Sequence, residues 1–183
     1  MRTFERRCPV FFQFICFLTL LTSSLAQDVP KLPKIEGESL AGHQVVLPDE
    51  AAGKVAVLVF GFTKASKGPT SAWANKLLAD FGTQPEFVLY QLPVLEDVPR
   101  LIRGMVISGM KRGVPENKRD HFVPVLRQEA ELKKFVHYNE PDDAYLVVLS
   151  RAGKTLALNH GSAPSDPNYA PVREQIESAL KQK

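Results

Sequence analysis

The sequence predicts an α/β protein, a central mixed β-sheet flanked by helices, on three observations. Val55–Phe62 and Ala144–Leu149 are continuously apolar runs of strand length, too uniform for strands with one wet face. A helical pattern lies between the first run and a further apolar run within Glu86–Leu92, the order of a parallel crossover unit. A strand hairpin and an amphipathic helix then close the chain.

Residues 1–26 stand apart. Arg2, Arg6 and Arg7 form a basic start, Val10–Leu21 is apolar apart from Gln13 and Thr19, and Ser24-Leu25-Ala26 supplies small residues at a cleavage site. This predicts a secretory signal peptide cut after Ala26, with an uncleaved membrane anchor as the alternative. The run is short of the roughly 20 residues a spanning helix takes. Residues 27–183 then make a single domain, periplasmic or secreted. The chain carries 23 basic and 20 acidic residues, net +3; without the leader's three Arg and one Glu it keeps 20 and 19, net +1. That balance does not indicate nucleic acid as a partner. Both cysteines, Cys8 and Cys16, lie in the leader, so the remainder has neither disulfides nor thiols to use.

Taken in order, Ile35–Leu47 contains turn points at Gly37 and Gly42 and a short extended piece, His43–Leu47. Val55–Phe62 reads as the central strand, buried on both faces, and ends in the Gly/Pro-containing loop Thr63–Pro69. Pro69 favours a break before a helix capped by Thr70 or Ser71. Trp73, Leu77, Leu78 and Phe81 recur at helical spacing as its core face, and Gly82 ends it. His121–Val125 fits a short strand, Glu129–Val136 a short helix with Leu132, Phe135 and Val136 inward, and Ser150–Gly153 a hairpin turn into Lys154–Leu158. Pro171–Leu180 closes the chain with Val172, Ile176 and Leu180 in register.

Val98–Gly113 is an inserted basic helical segment. Leu101, Ile102, Met105, Val106 and Met110 make an apolar stripe, with Arg100, Arg103, Lys111 and Arg112 on other faces. With Lys118 and Arg119, six basic residues fall between Arg100 and Arg119 against one acid, Glu116. Two readings stand: the solvated side of a packed helix, or a docking surface for anionic lipid or an acidic protein. Gly104 and Gly109 weaken the helix by roughly 1 kcal/mol each relative to Ala.

The segment G-F-T-K-A-S-K-G-P-T at Gly61–Thr70 resembles the turn of Sco-type copper chaperones and of exported thiol-disulfide proteins, both thioredoxin-like. In those, G-F-T-H-C or F-W-A-T-W-C leads into the redox or metal-binding pair at a helix N-terminus, which lowers thiol pKa values. The resemblance sets Lys64 at the Sco-type histidine and Ala65 at the first cysteine. Gly68, or Pro69 by another spacing, stands at the second. It also implies a cis-proline before Ala144–Leu149; Pro141 is about three residues early and Asp143-Ala144 fills the place. Asp142 and Asp143 should then lie near Lys64 and Lys67 in a surface ion pair worth under about 1 kcal/mol.

The back half has a second resemblance. V-P-E-N-K-R-D-H-F at Val114–Phe122 and H-Y-N-E-P-D-D-A-Y-L-V-V-L at His137–Leu149 are similar to a family of ATP synthase assembly factors first defined in mitochondria. Asp143 stands at that family's glycine and Ser150 at its aspartate. Members are thioredoxin-like chaperones of a membrane-sector subunit, so the resemblance implies binding without redox catalysis.

The four histidines, His43, His121, His137 and His160, show no metal-ligand spacing, and G-K-T at Gly153–Thr155 lacks the earlier glycine and the helix start of a phosphate loop. No metal, cofactor or catalytic residue is therefore expected. The reading that follows is an exported, cysteine-free binding or assembly factor for a protein client, such as a membrane complex. It would work through Lys64, Lys67, Asp142 and Asp143 around the vacated loop and through Arg100, Arg103, Lys111 and Arg112. The alternative is a degenerate relative of thiol-disulfide or peroxiredoxin-type oxidoreductases, whose chemistry needs a thiolate from elsewhere.

Overall fold

The computed structural model describes residues 30–165 and 167–182. The expected leader lies outside them. Strand β1 (Ile35–Glu38) pairs antiparallel with β2 (Gln44–Leu47) as an entry hairpin, turning at Gly42 with φ +96°. The main sheet has strand order β4-β3-β5-β6, from β3 (Val55–Gly61), β4 (Phe87–Pro93), β5 (Ala144–Leu149) and β6 (Thr155–Gly161). β3 and β4 run parallel, whereas β5 and β6 are antiparallel additions, so the sheet is mixed.

The apolar run of β3 is continuous because both of its faces are covered. Ala56, Leu58 and Phe60 join a core with Ile35, Leu47, Leu132 and Phe135, beneath the entry hairpin and helix α3 (Glu129–Phe135). Val55, Val57 and Val59 join another with Trp73, Leu77, Val172 and Ile176, beneath α1 (Lys67–Phe81) and α4 (Tyr169–Lys181). Successive strand residues alternate between the two. At roughly 1.5–3 kcal/mol for each large apolar side chain fully buried, this strand contributes heavily to the fold.

Three elements differ from the sequence expectation. Helix α1 opens at Lys67, ahead of Thr70, with Ser66 at its N-cap. Pro69 falls in the first turn, where a missing N–H is harmless. His121–Val125 forms no strand of its own. A 3-10 turn over Glu116–His121 precedes two parallel bridges onto β4, Gln91 with Phe122 and Val94 with Val125. Helix α2 (Arg100–Gly113) is present, but none of its residues is buried. Its apolar stripe is split: Leu101 is 96% exposed and Met105 73%, whereas Val106 and Met110 are half-buried with Ile107.

Candidate functional site

The loop after β3 is fixed by its own hydroxyls. Ser66 Oγ donates to the Thr63 carbonyl at 2.8 Å, the Ser66 amide donates to Thr63 Oγ1 at 3.2 Å, and the Thr63 amide donates to Ser66 Oγ at 3.3 Å. Such serine and threonine turns offer the backbone an alternative to a helical start. Ser66 is buried against Gly61, where an added Cβ would stand 2.7 Å from Ser66 Oγ. Thr63 Oγ1 donates to the Pro141 carbonyl at 3.0 Å, tying the loop to the segment before β5. Lys64, Ala65, Lys67 and Gly68 are all exposed. With no acid in the first turn of α1 and two lysines beside it, this end of the helix is electropositive.

Beneath the loop lies an aromatic cluster. Phe62 packs edge-on to Tyr138 and Tyr145, with ring centroids at 5.0 and 5.6 Å. The buried Tyr145 hydroxyl accepts the Asn139 and Glu140 amides at 2.9 and 2.8 Å, which fixes the link ahead of β5. Lys133 sits 4.8 Å over the Tyr138 ring and pairs at 2.5 Å with the buried Glu129. That hydrogen bond raises the Lys133 pKa.

The expected ion pair across this face is not formed. Among the described residues, neither Lys64 nor Lys67 pairs with Asp142 or Asp143. The Asp143 carboxylate turns instead to His160 Nδ1 at 2.8 Å, and the His160 ring stacks on Tyr145 at 5.3 Å. Asp142 is exposed. His160 was missed in the sequence because counting back from the hairpin turn pairs it with Ala144. An irregularity at Val148/Leu149 moves it one place, opposite Tyr145, and hence diagonal to Asp143 on the same face. A second such pair, His43 with Asp120 at 2.7 Å, was equally invisible to local spacing. Among the described residues, no three metal-ligating side chains gather. The peptide before Pro141 is not cis; Leu47-Pro48 is the cis bond recorded.

Of the basic residues on α2, Arg103 folds back onto the preceding turn, donating to the Val98 and Glu96 carbonyls at 2.7 and 2.5 Å. Arg100, Lys111 and Arg112 are exposed, and none makes an ion pair among the described residues. Two concavities, of about 520 and 560 Å³, lie elsewhere. One is between α1 and the end of α4, the other between β1, Ile107 of α2 and Pro124–Gln128. Neither is lined by the loop after β3.

No protein-family model and no curated protein matches the chain. Solved structures do. BsSco, a member of the Sco family of cytochrome c oxidase assembly proteins, matches with a TM-score of 0.56 at 14% identity, over 84% of this chain and 95% of that one. A protein assigned as thiol:disulfide interchange protein DsbE from Chlorobium tepidum matches with 0.54 at 20% identity, over 82% and 95%. The exposed lipoprotein thioredoxin of Streptococcus pneumoniae matches with 0.53 at 12% identity, over 79% and 99%. At such identities the likeness speaks to architecture, and architecture alone does not fix function. The chain has the thioredoxin-like fold, a mixed sheet flanked by helices, in common with Sco and DsbE proteins.

Proposed function

We propose that this protein is an exported, non-redox, thioredoxin-like binding and assembly factor. It holds a protein client of the cell envelope at the face formed by Thr63–Gly68 and the link before β5. The observation that carries this reading is the composition of the loop. Ala65 and Gly68 stand at the N-terminus of α1, where thioredoxin-like proteins present their cysteines, and no cysteine follows Cys16 in the chain. A mixed disulfide or a thiolate–copper bond would lack its sulfur there. What remains is a hydroxyl-braced surface on which Lys64 and Lys67 stand beside the exposed acids Glu140 and Asp142, with charges of both signs suited to recognition.

Two resemblances support an assembly role. BsSco is described as belonging to a family of oxidase assembly proteins, and on our reading the motifs at Val114–Phe122 and His137–Leu149 resemble those of ATP synthase assembly factors. On the second resemblance the client is a subunit of a membrane sector. The leader-like residues 1–26 supply the export address.

Turnover tests the reading. The purified chain should neither reduce insulin disulfides with dithiothreitol as electron source nor consume peroxide above buffer. The double variant Ala65→Cys/Gly68→Cys should gain insulin reduction, because the helix N-terminus lowers the pKa of a thiol placed there. Turnover by the parent chain would restore the oxidoreductase reading.

A further inference from the structure

Helix α2 is the one α-helix among the described residues that buries no side chain. Leu101, Met105 and Ile102 are 96%, 73% and 42% exposed. At 100° per residue they occupy an arc of about 100° on its outer side. The helix carries no Asp or Glu, and its Arg100, Lys111 and Arg112 are unpaired among the described residues. Arg112 projects into the same sector as Leu101 and Met105. A protein partner that covered the whole of this face would have to bury that guanidinium against a matching acid, at a desolvation penalty. At a bilayer interface the demand disappears. Apolar tips enter the acyl boundary while long cationic side chains lay their stems along it and reach headgroup phosphates.

We propose that α2 is a membrane-surface helix that seats this domain on anionic lipid. Leu101, Ile102 and Met105 enter the interface, and Arg100, Lys111 and Arg112 pair with headgroup phosphates. Arg103 plays a different part, pinning the first turn of α2 to the Glu96 and Val98 carbonyls, while Val106, Ile107 and Met110 on the opposite face are half-buried toward the domain. The inference does not depend on the client reading, because lipid vesicles contain no client.

The test uses the full chain as purified from cells, with Leu101→Trp as a local reporter that an apolar leader cannot mimic. Trp73 is fully buried and supplies a constant background. On vesicles with 30% phosphatidylglycerol, the added tryptophan should shift to the blue and be quenched by brominated lipid. On pure phosphatidylcholine it should do neither. Changing Arg100, Lys111 and Arg112 to Gln should weaken the response about fivefold per cation, about a hundredfold for all three. Met105→Trp gives the same readout if Leu101→Trp fails to fold. An unchanged emission on anionic vesicles, or equal quenching on both lipids, would overturn the proposal. So would a shift of the same size with soluble polyglutamate, which would assign the face to an acidic protein.

Discussion

Gly61 shows at the scale of one residue how the loop is held. An added Cβ there would stand 2.7 Å from Ser66 Oγ and 3.0 Å from Thr70 Cγ2, so the close return of the loop over β3 requires glycine. Gly61→Ala should cost about 1–3 kcal/mol, as overpacking does. In a Ser66→Ala background the offending hydroxyl is gone and the nearest remaining Ser66 atom is Cβ, at 3.7 Å. Urea unfolding of the two single variants and the double should therefore show a double-mutant cost about 1 kcal/mol below the sum. Strict additivity would mean that Ser66 is not what Gly61 accommodates. The sequence showed Gly61 as the end of an apolar run. It could not show that Ser66 folds back to meet it.

Among the elements, strands and core helices were legible in proportion to how fully burial fixed their pattern. β3 and β5 were read from unbroken apolar runs, and Trp73, Leu77 and Phe81 do face the core. The start of α1 was not legible, because Pro69 reads as a break whether it lies before a helix or inside its first turn. Helix α2 was ambiguous for a different reason: an apolar stripe at helical spacing says that a face wants cover, not what covers it. Its lack of fully buried side chains makes it the least protected α-helix among the described residues, since local opening there exposes no core. Gly104 has open space for a Cβ and Gly109 meets only the Arg112 side chain at 4.0 Å. Gly104→Ala and Gly109→Ala should each slow amide exchange in α2 about fivefold, matching the helix propensity gained of roughly 1 kcal/mol. No slowing would mean that the helix propensity gained does not stabilise α2 against opening.

For the whole molecule, pH reads how the core treats its titratable rings. His121 is exposed on its outer side, but its ring packs 5.0 Å from the buried Tyr90, and this partial desolvation holds its imidazole below the ordinary value. The folded state thus binds this proton less readily than the unfolded chain. The stability it supports is present above about pH 6.5 and is lost as pH falls through the lower folded-state value. Thermal midpoints of the parent and of His121→Gln, taken from pH 7.5 to 5, should diverge, the parent falling more steeply; parallel curves would refute the burial argument. In alkali the sign reverses. Burial pushes Tyr90 up to about 12. Tyr169 is raised as well, by burial and by its hydrogen bond to Asp80. Both support folding below about pH 10 and lose that support as pH climbs through their folded values.

The same scale separates what the thioredoxin-like resemblance delivered from what it did not. The thioredoxin-like architecture was readable because strand order follows from apolar runs and short links. The two-sided burial of β3 then leaves few other topologies. The predicted Lys64/Lys67 to Asp142/Asp143 pairing failed because partner choice depends on strand register. A single irregularity in the β5–β6 hairpin gave Asp143 to His160 instead.

The central claim is that the face around Ala65 holds a protein without thiol chemistry. A photo-crosslinking residue at Ala65, activated in intact cells, tests it most directly, with the same residue at Ala152 in the turn before β6 as control. The account predicts one discrete adduct with an envelope protein at position 65, stable to reductant and absent at position 152. No adduct at position 65, or the same set of adducts at both positions, would contradict it.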